Sequence, residues 1–174
     1  MKFTVLQSVY KNDNPVFFSQ SLQSIAENSV QPACVVLVKD GALTPELESV
    51  ISEWKDKLPL KVVGYEKNQG LAHALNYGLQ FVETELVARM DSDDIAYKNR
   101  FEKQITYMKE NPEIALSSGY ISEFNDNDMI PKSIRRVPLL YDEIVSYLKK
   151  RNAFNHMAVC FKKSAVGVFF VSMQ

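Results

Sequence analysis

From Ala33 to Val38 the chain reads Ala-Cys-Val-Val-Leu-Val, apolar at every position, and it stops abruptly at Lys39-Asp40-Gly41. A run this short and continuous is the pattern of a strand covered on both faces, as in a parallel sheet, and the polar stop marks a loop at its carboxyl end. Such a strand needs helices above and below it, and the neighbouring sequence supplies them. Phe3 to Val9 reads as a first strand. Asn14 then offers an N-cap with Pro15 at the first helical position, and Phe18, Leu22 and Ile25 recur at helical spacing before Pro32. Thr44-Pro45-Glu46 repeats the start signal ahead of Leu47, Val50, Ile51 and Trp54, and Pro59 closes that helix.

The alternation continues. Leu60 to Tyr65 makes a third strand, and Leu71, Ala74, Leu75, Gly78, Leu79 and Val82 form the apolar stripe of a third helix. Leu86 to Met90 is a fourth strand, followed by a helical pattern that begins near Tyr97, carries Phe101, Ile105 and Met108 inward, and ends at Asn111-Pro112. Four βα units in series predict an α/β fold with a mostly parallel central sheet flanked by helices. Ligands in such sheets sit beyond the carboxyl ends of the strands. Loops 10–13, 39–43, 66–69 and 91–94 then share one edge. After Pro112, Ile114 to Tyr120 is a candidate fifth strand, Asn125-Asp126-Asn127-Asp128 has turn chemistry, Tyr141 to Lys150 is a short helix, and Met157 to Phe161 is one more strand. Val166 to Gln174 is a short apolar end with no partner in the sequence. No linker, repeat or low-complexity segment interrupts the 174 residues, which read as a single domain.

Composition excludes several classes. With 46% hydrophobic and 24% charged residues the chain is of ordinary globular type, and a net charge of -1 gives no electrostatic footprint for nucleic acid. No apolar run approaches the roughly 18 residues of a membrane helix, and residues 1–9 lack the pattern of a signal peptide. Cys34 and Cys160 fall inside apolar strand patterns, where reduced thiols behave as small hydrophobes, pointing to a cytoplasmic protein.

The chemistry concentrates at Asp91-Ser92-Asp93-Asp94, directly after the fourth strand. Three carboxylates so close repel one another unless a cation or hydrogen-bond donors hold them ionised. A magnesium or manganese ion bound by one or two carboxylates completes its shell with water and substrate phosphates, so the cluster points to a phosphate-bearing ligand. Helix capping accounts for one aspartate of the three.

Read together and in order, Ser8-Val9-Tyr10, Val38-Lys39-Asp40-Gly41, Asn68-Gln69-Gly70-Leu71-Ala72 with Asn76 and Gly78, Asp91-Ser92-Asp93-Asp94, and Arg100 with Gln104 resemble the family-2 glycosyltransferases of GT-A fold, a Rossmann-like fold. The resemblance is to bacterial enzymes that build exopolysaccharide, capsule or lipopolysaccharide, and it runs from about Phe3 to Ser164. It implies a nucleotide-binding half over residues 1–112 and a partial acceptor half over 113–174. It assigns Ser8, Val9, Tyr10, Asp40, Asn68, Gly70, Asp91 and Ser92 to the nucleotide donor, Asp40 accepting from the uracil N–H. Asp91 and Asp93 fall to a divalent metal, Mn or Mg, with Asp94 behind them. The implied reaction transfers a sugar from a nucleotide-diphospho-sugar, a UDP-sugar, to a saccharide or lipid-linked acceptor with inversion.

The family's base is commonly a Glu-Asp pair beyond the strand that matches Met157 to Phe161. No Asp or Glu follows Glu143, so the resemblance is to a C-terminally truncated member, and His156 is the one titratable base in that region. The alternative is a non-catalytic nucleotide-sugar-binding module or inactive remnant. A strand followed by Asp-x-Asp also resembles haloacid-dehalogenase phosphatases, but there the motif follows the first strand and here the fourth. Leu75 stands where the family often has Arg, and His73 reads as a surface residue. Lys149-Lys150-Arg151 reads as a solvated helix end that could also meet anionic lipid headgroups, giving a peripheral contact at the inner face of the membrane. The sequence is equally compatible with a homo-oligomer.

Overall fold

A computed structural model of the chain describes residues 2–125 and 130–166. Asp126, Asn127 and Asp128 of the expected turn, and the apolar end beyond Val166, lie outside the described residues. The elements in chain order are β1 (Phe3–Val9), α1 (Pro15–Ala26), β2 (Cys34–Asp40), α2 (Pro45–Trp54), β3 (Leu60–Tyr65), α3 (Leu71–Leu79), β4 (Leu86–Met90), α4 (Arg100–Glu110), β5 (Leu116–Ser117), β6 (Ile121–Phe124), β7 (Pro131–Arg135), α5 (Tyr141–Leu148), β8 (Cys160–Lys162) and α6 (Lys163–Val166). A single 3-10 turn, His156–Ala158, precedes β8.

Six strands form one sheet in the order β3-β2-β1-β4-β8-β5. The first four are mutually parallel, and β8 runs antiparallel to both β4 and β5. Both faces are covered, which is why β2 is apolar throughout. On one face, Phe18, Leu22 and Ile25 of α1, Leu47, Ile51 and Trp54 of α2, and Phe101, Ile105 and Met108 of α4 pack on Phe3, Val5, Val35, Leu37, Leu86, Ala88 and Met90. On the other, Ala74 of α3 and Val82 pack on Leu6, Val36, Val38 and Val87. Gly78 brings α3 onto the sheet. A Cβ there would lie 2.6 Å from both Leu6 Cδ1 and Val38 Cγ2.

The caps form as their residues dictate. Asn14 accepts from the backbone N–H of Val16 at 2.8 Å and of Phe17 at 3.4 Å, and Thr44 from that of Leu47 at 3.4 Å, each with proline at the start of its helix.

The connections fix where a ligand can sit. α1 and α2 carry the chain outward from β1 to β3 on one face, and α3 returns it across the opposite face to β4 beside β1. Strand order therefore reverses between β1 and β4, and in open α/β sheets ligands sit outside the strands' carboxyl ends at such a switch point.

Several expected boundaries shift. β2 continues through Asp40, so that residue ends the strand rather than entering the loop. α3 stops at Leu79, because Phe81 and Val82 bond three residues back, to Gly78 and Leu79. α4 starts at Arg100 instead of near Tyr97, since residues 96–98 are held against α1 and the residues after it, as described below. β5 keeps only two residues of the expected strand, α5 ends at Leu148, and Met157 and Ala158 belong to the 3-10 turn instead of β8. The antiparallel pair β6 and β7 was not expected; β7 is exposed along its whole length and offers no buried alternation.

Candidate active site

The parallel register brings the ends of β1, β2 and β4 together, so the expected donor residues share one edge although they lie up to 84 residues apart. Val9 is buried in the core while Tyr10, one residue on, is exposed. Ser8 is half-buried. The chain then turns through Asp13, whose carboxylate accepts from the Tyr10 backbone N–H at 3.1 Å and from the Ser92 hydroxyl at 2.7 Å. Asp13 thus ties the first loop to the acidic cluster, a role that no pattern in the sequence announces.

Asp40 is the most heavily bonded carboxylate of the edge and is only 5% exposed. Its Oδ1 accepts from the Tyr65 hydroxyl at 2.9 Å and the Gln69 backbone N–H at 2.8 Å. Its Oδ2 accepts from Asn68 Nδ2 at 2.8 Å and the Gly70 backbone N–H at 3.0 Å. A carboxylate offers about four lone-pair sites, and four protein donors fill them. Asp40 therefore shapes the loop from Asn68 to Gly70. Burial, followed by the bond to Asp40, raises the Tyr65 phenol well above its usual range and keeps it a donor. Gly70 holds φ +89°, a left-handed conformation that favours glycine, and opens α3 with no side-chain cap.

The 91–99 segment is held from below by polar groups that hydrophobic patterning ignores. Buried Gln7 donates through Nε2 to the Asp91 carbonyl at 2.9 Å, and the Ser21 hydroxyl donates to the same oxygen at 3.0 Å. Farther along, the Ala96 N–H donates to Ser24 Oγ at 3.0 Å, Asn28 Nδ2 to the Tyr97 carbonyl at 2.9 Å, and the Ser29 N–H to the Lys98 carbonyl at 2.7 Å. Four polar residues from Ser21 to Ser29, on α1 and just beyond it, thus fix where the acidic residues stand.

Within the cluster the three aspartates differ. Asp91 is paired through Oδ1 with Nη2 of Arg89, a guanidinium buried in β4 whose Nε and Nη1 make no hydrogen bond. Asp93 is exposed. Asp94 is partly buried, with Oδ2 enclosed and without a partner. Burial first, then the charges of Asp91 and Asp93, push its carboxyl up to about 6. Asp13 is also raised, chiefly by burial and further by Asp93 and Asp91, against the lowering effect of its bonds to Ser92 and Tyr10. This is an under-neutralised set of hard oxygen ligands, the donor type magnesium and manganese take. Among the described residues, no group of three or more Asp, Glu, His or Cys side chains is gathered into a ready cage.

The antiparallel β8 brings its leading turn back to the same edge. Arg89 N–H donates to the Val159 carbonyl at 2.9 Å. Arg100 Nη2 donates to the carbonyls of Arg89 at 2.7 Å and Met157 at 3.2 Å, and Gln104 Nε2 donates to that of Ala158 at 2.9 Å. Arg100 and Gln104 so act as braces between α4, β4 and the turn. His156 is exposed in that turn. His73 is exposed on α3, with its ring edge-on to Tyr65 at 5.0 Å.

The comparisons agree with this architecture. Residues 9–169 match the model of glycosyl transferase family 2. The chain is 44% identical over 168 residues to an uncharacterized glycosyltransferase of Haemophilus influenzae, covering 95% of this chain and 62% of that protein. It is 43% identical over 165 residues to the UDP-Gal:alpha-D-GlcNAc-diphosphoundecaprenol beta-1,3-galactosyltransferase of Escherichia coli, covering 95% and 60%. The chain thus spans about three-fifths of the length of these curated relatives. Among solved structures, S. aureus TarS 1-349 in complex with UDP-GlcNAc superposes with TM-score 0.70 at 22% identity, covering 97% of this chain and 47% of that one. The mannosyltransferase PcManGT from Pyrobaculum calidifontis, in complex with GDP-Man and Mn2+, gives 0.68 at 20%, covering 96% and 46%. Both structures share the fold of this chain.

Proposed function

Since the chain belongs to glycosyl transferase family 2, we propose that its carboxyl edge is the donor site of a sugar transferase using a UDP-sugar. The observation that carries this reading is that Tyr10, the Asp40-held loop 68–70 and the Asp91–Asp94 cluster share the carboxyl edge of β1, β2 and β4, where strand order reverses. The Escherichia coli relative named for a UDP-Gal donor supports UDP as the nucleotide. Residues 1–112 are then the nucleotide half, and residues 113–174 part of the acceptor half.

In this reading Ser8, Val9 and Tyr10 border the nucleotide. Asn68 and Gly70 line the base and ribose, with Asp40 fixing their position. A uracil N–H that reaches Asp40 displaces one of its four protein donors. Asp91 would face the ribose and the metal, and Ser92, its buried hydroxyl given to Asp13, stands beside it on the donor. Asp93, with Asp91, would hold a manganese or magnesium ion, which when bound offsets the charge that gathers on the departing diphosphate. The ion pair with Arg89 holds the Asp91 carboxylate in place. The acceptor hydroxyl attacks the anomeric carbon from the face opposite the diphosphate, inverting its configuration, and a general base takes the proton. The acceptor is a saccharide or a lipid-linked one, as the name of the Escherichia coli relative has it for that protein. The family's Glu-Asp pair is not among the 174 residues, and His156 stands beside the edge as the candidate base this chain supplies.

A second reading is donor binding by these 174 residues without efficient transfer. Incubating the chain with UDP-galactose and UDP-N-acetylglucosamine, with and without manganese, separates the two. Metal-dependent UDP release that is lost in Asp93→Asn supports a working transferase site. Nucleotide binding with no UDP release from any donor supports the binding module, and no binding at all refutes both.

A further inference from the structure

From Ile130 to Arg151 not one residue is buried, although the stretch includes a strand and an eight-residue helix. Ile134, Leu139, Leu140, Tyr141, Val145 and Leu148 are 56, 65, 66, 78, 39 and 48% exposed. On α5, Tyr141, Val145 and Leu148 fall at i, i+4 and i+7, one stripe of the helix that is exposed among the described residues. Leu139 and Leu140 run directly into Tyr141 at the head of that stripe, and contiguous exposed apolar side chains mark an interaction site.

The charges say with what. Arg136, Lys149, Lys150 and Arg151 are exposed in the same stretch, with Asp142 and Glu143 the acids of α5, in a chain whose net charge is -1. Apolar and aromatic side chains flanked by Lys and Arg suit the boundary between anionic headgroups and acyl chains. Position matters as well. The Tyr97 hydroxyl and Ser122 Oγ are 2.8 Å apart and hydrogen-bonded, joining the segment after the acidic cluster to the β6–β7 pair that leads into this stretch.

We propose that residues 130–151 form a docking surface for an anionic lipid bilayer, which brings the donor edge to the membrane face. The choice of occupant rests partly on the lipid-linked acceptor of the proposed function, since such an acceptor lies in a bilayer.

The test is co-sedimentation of the chain with phosphatidylcholine vesicles and with the same vesicles containing phosphatidylglycerol, alongside a calorimetric titration of UDP. The chain is expected to sediment with the anionic vesicles and to be released by salt. Combined Lys149→Glu, Lys150→Glu and Arg151→Glu should lower the partition coefficient by roughly a hundredfold. Leu139→Ser with Leu140→Ser should lower it at least about tenfold. All these residues are exposed, so unchanged circular dichroism is expected in each variant. Failure to bind anionic vesicles, or equal binding to neutral ones, overturns the proposal. A dimer that Leu139→Ser with Leu140→Ser dissociates, without vesicle binding, assigns the surface to a second copy and also overturns it. Vesicle binding without UDP binding refutes the donor site alone, and UDP binding without vesicle binding refutes this surface alone.

Discussion

Replacing Asp40 with alanine removes the acceptor of four hydrogen bonds at once, those from Tyr65, Asn68, Gln69 and Gly70 at 2.8 to 3.0 Å. Bonds to an ionised acceptor contribute roughly 1.5–3 kcal/mol each, but a donor that water can reach recovers most of its share. Asn68 and Gln69 are exposed and rehydrate, whereas Tyr65 and Gly70 are half-buried and recover less. The expected loss is therefore about 2–4 kcal/mol, well short of four full bonds. In a chain of this length that lowers the thermal midpoint by about 5–15 °C. Asp40→Asn should be nearly as damaging, because a single carbonyl oxygen replaces two acceptors and an NH2 group meets the remaining donors. Tyr65→Phe alone should cost about 1 kcal/mol, and nothing further in the Asp40→Ala background, since the two share one bond. Thermal unfolding followed by circular dichroism reads all of these. If Asp40→Ala leaves the midpoint within about 1 °C of the parent while abolishing UDP binding, the carboxylate serves the ligand and not the loop.

Two further outcomes follow from the packing and the charges. Gly78→Ala gains about 1 kcal/mol of helix propensity but sets a methyl 2.6 Å from Leu6 and Val38, so urea unfolding should show a net loss of about 1–2 kcal/mol. Asp94 is raised in the folded state to about 6, against about 3.9 unfolded, so the folded chain holds that proton more tightly. Its effect favours folding below pH 4 and turns against it as pH rises from about 4 through about 6. Asp94→Asn should accordingly raise the midpoint at pH 7 and flatten the fall between about pH 4 and pH 6, measured by thermal scans without added metal.

The parallel half of the fold was legible because its signals are local. Phe3–Val9, Leu60–Tyr65 and Leu86–Met90 stand where their apolar runs place them, and Asn14 and Thr44 cap the helices they precede. The direction of β8 was not legible, since a strand's composition carries no orientation, yet that direction is what returns His156 to the edge. β7 escaped notice because a strand exposed on both faces has no alternation to read. Asp40 was visible as a polar stop, but its four donors come from residues 25 to 30 positions on, and only the folded register brings them together. The same holds for Asp13, Gln7, Ser21, Ser24 and Asn28, polar residues in ordinary contexts whose partners lie 69 to 84 residues away.

A calorimetric titration of UDP into the chain, with and without manganese and repeated on Asp93→Asn, tests the donor site most directly. Asp93 is exposed, so the variant should fold as the parent does. The account predicts binding that strengthens at least about tenfold with manganese in the parent and gains nothing from it in Asp93→Asn. Binding that ignores both the metal and Asp93, or no binding under any condition, contradicts it.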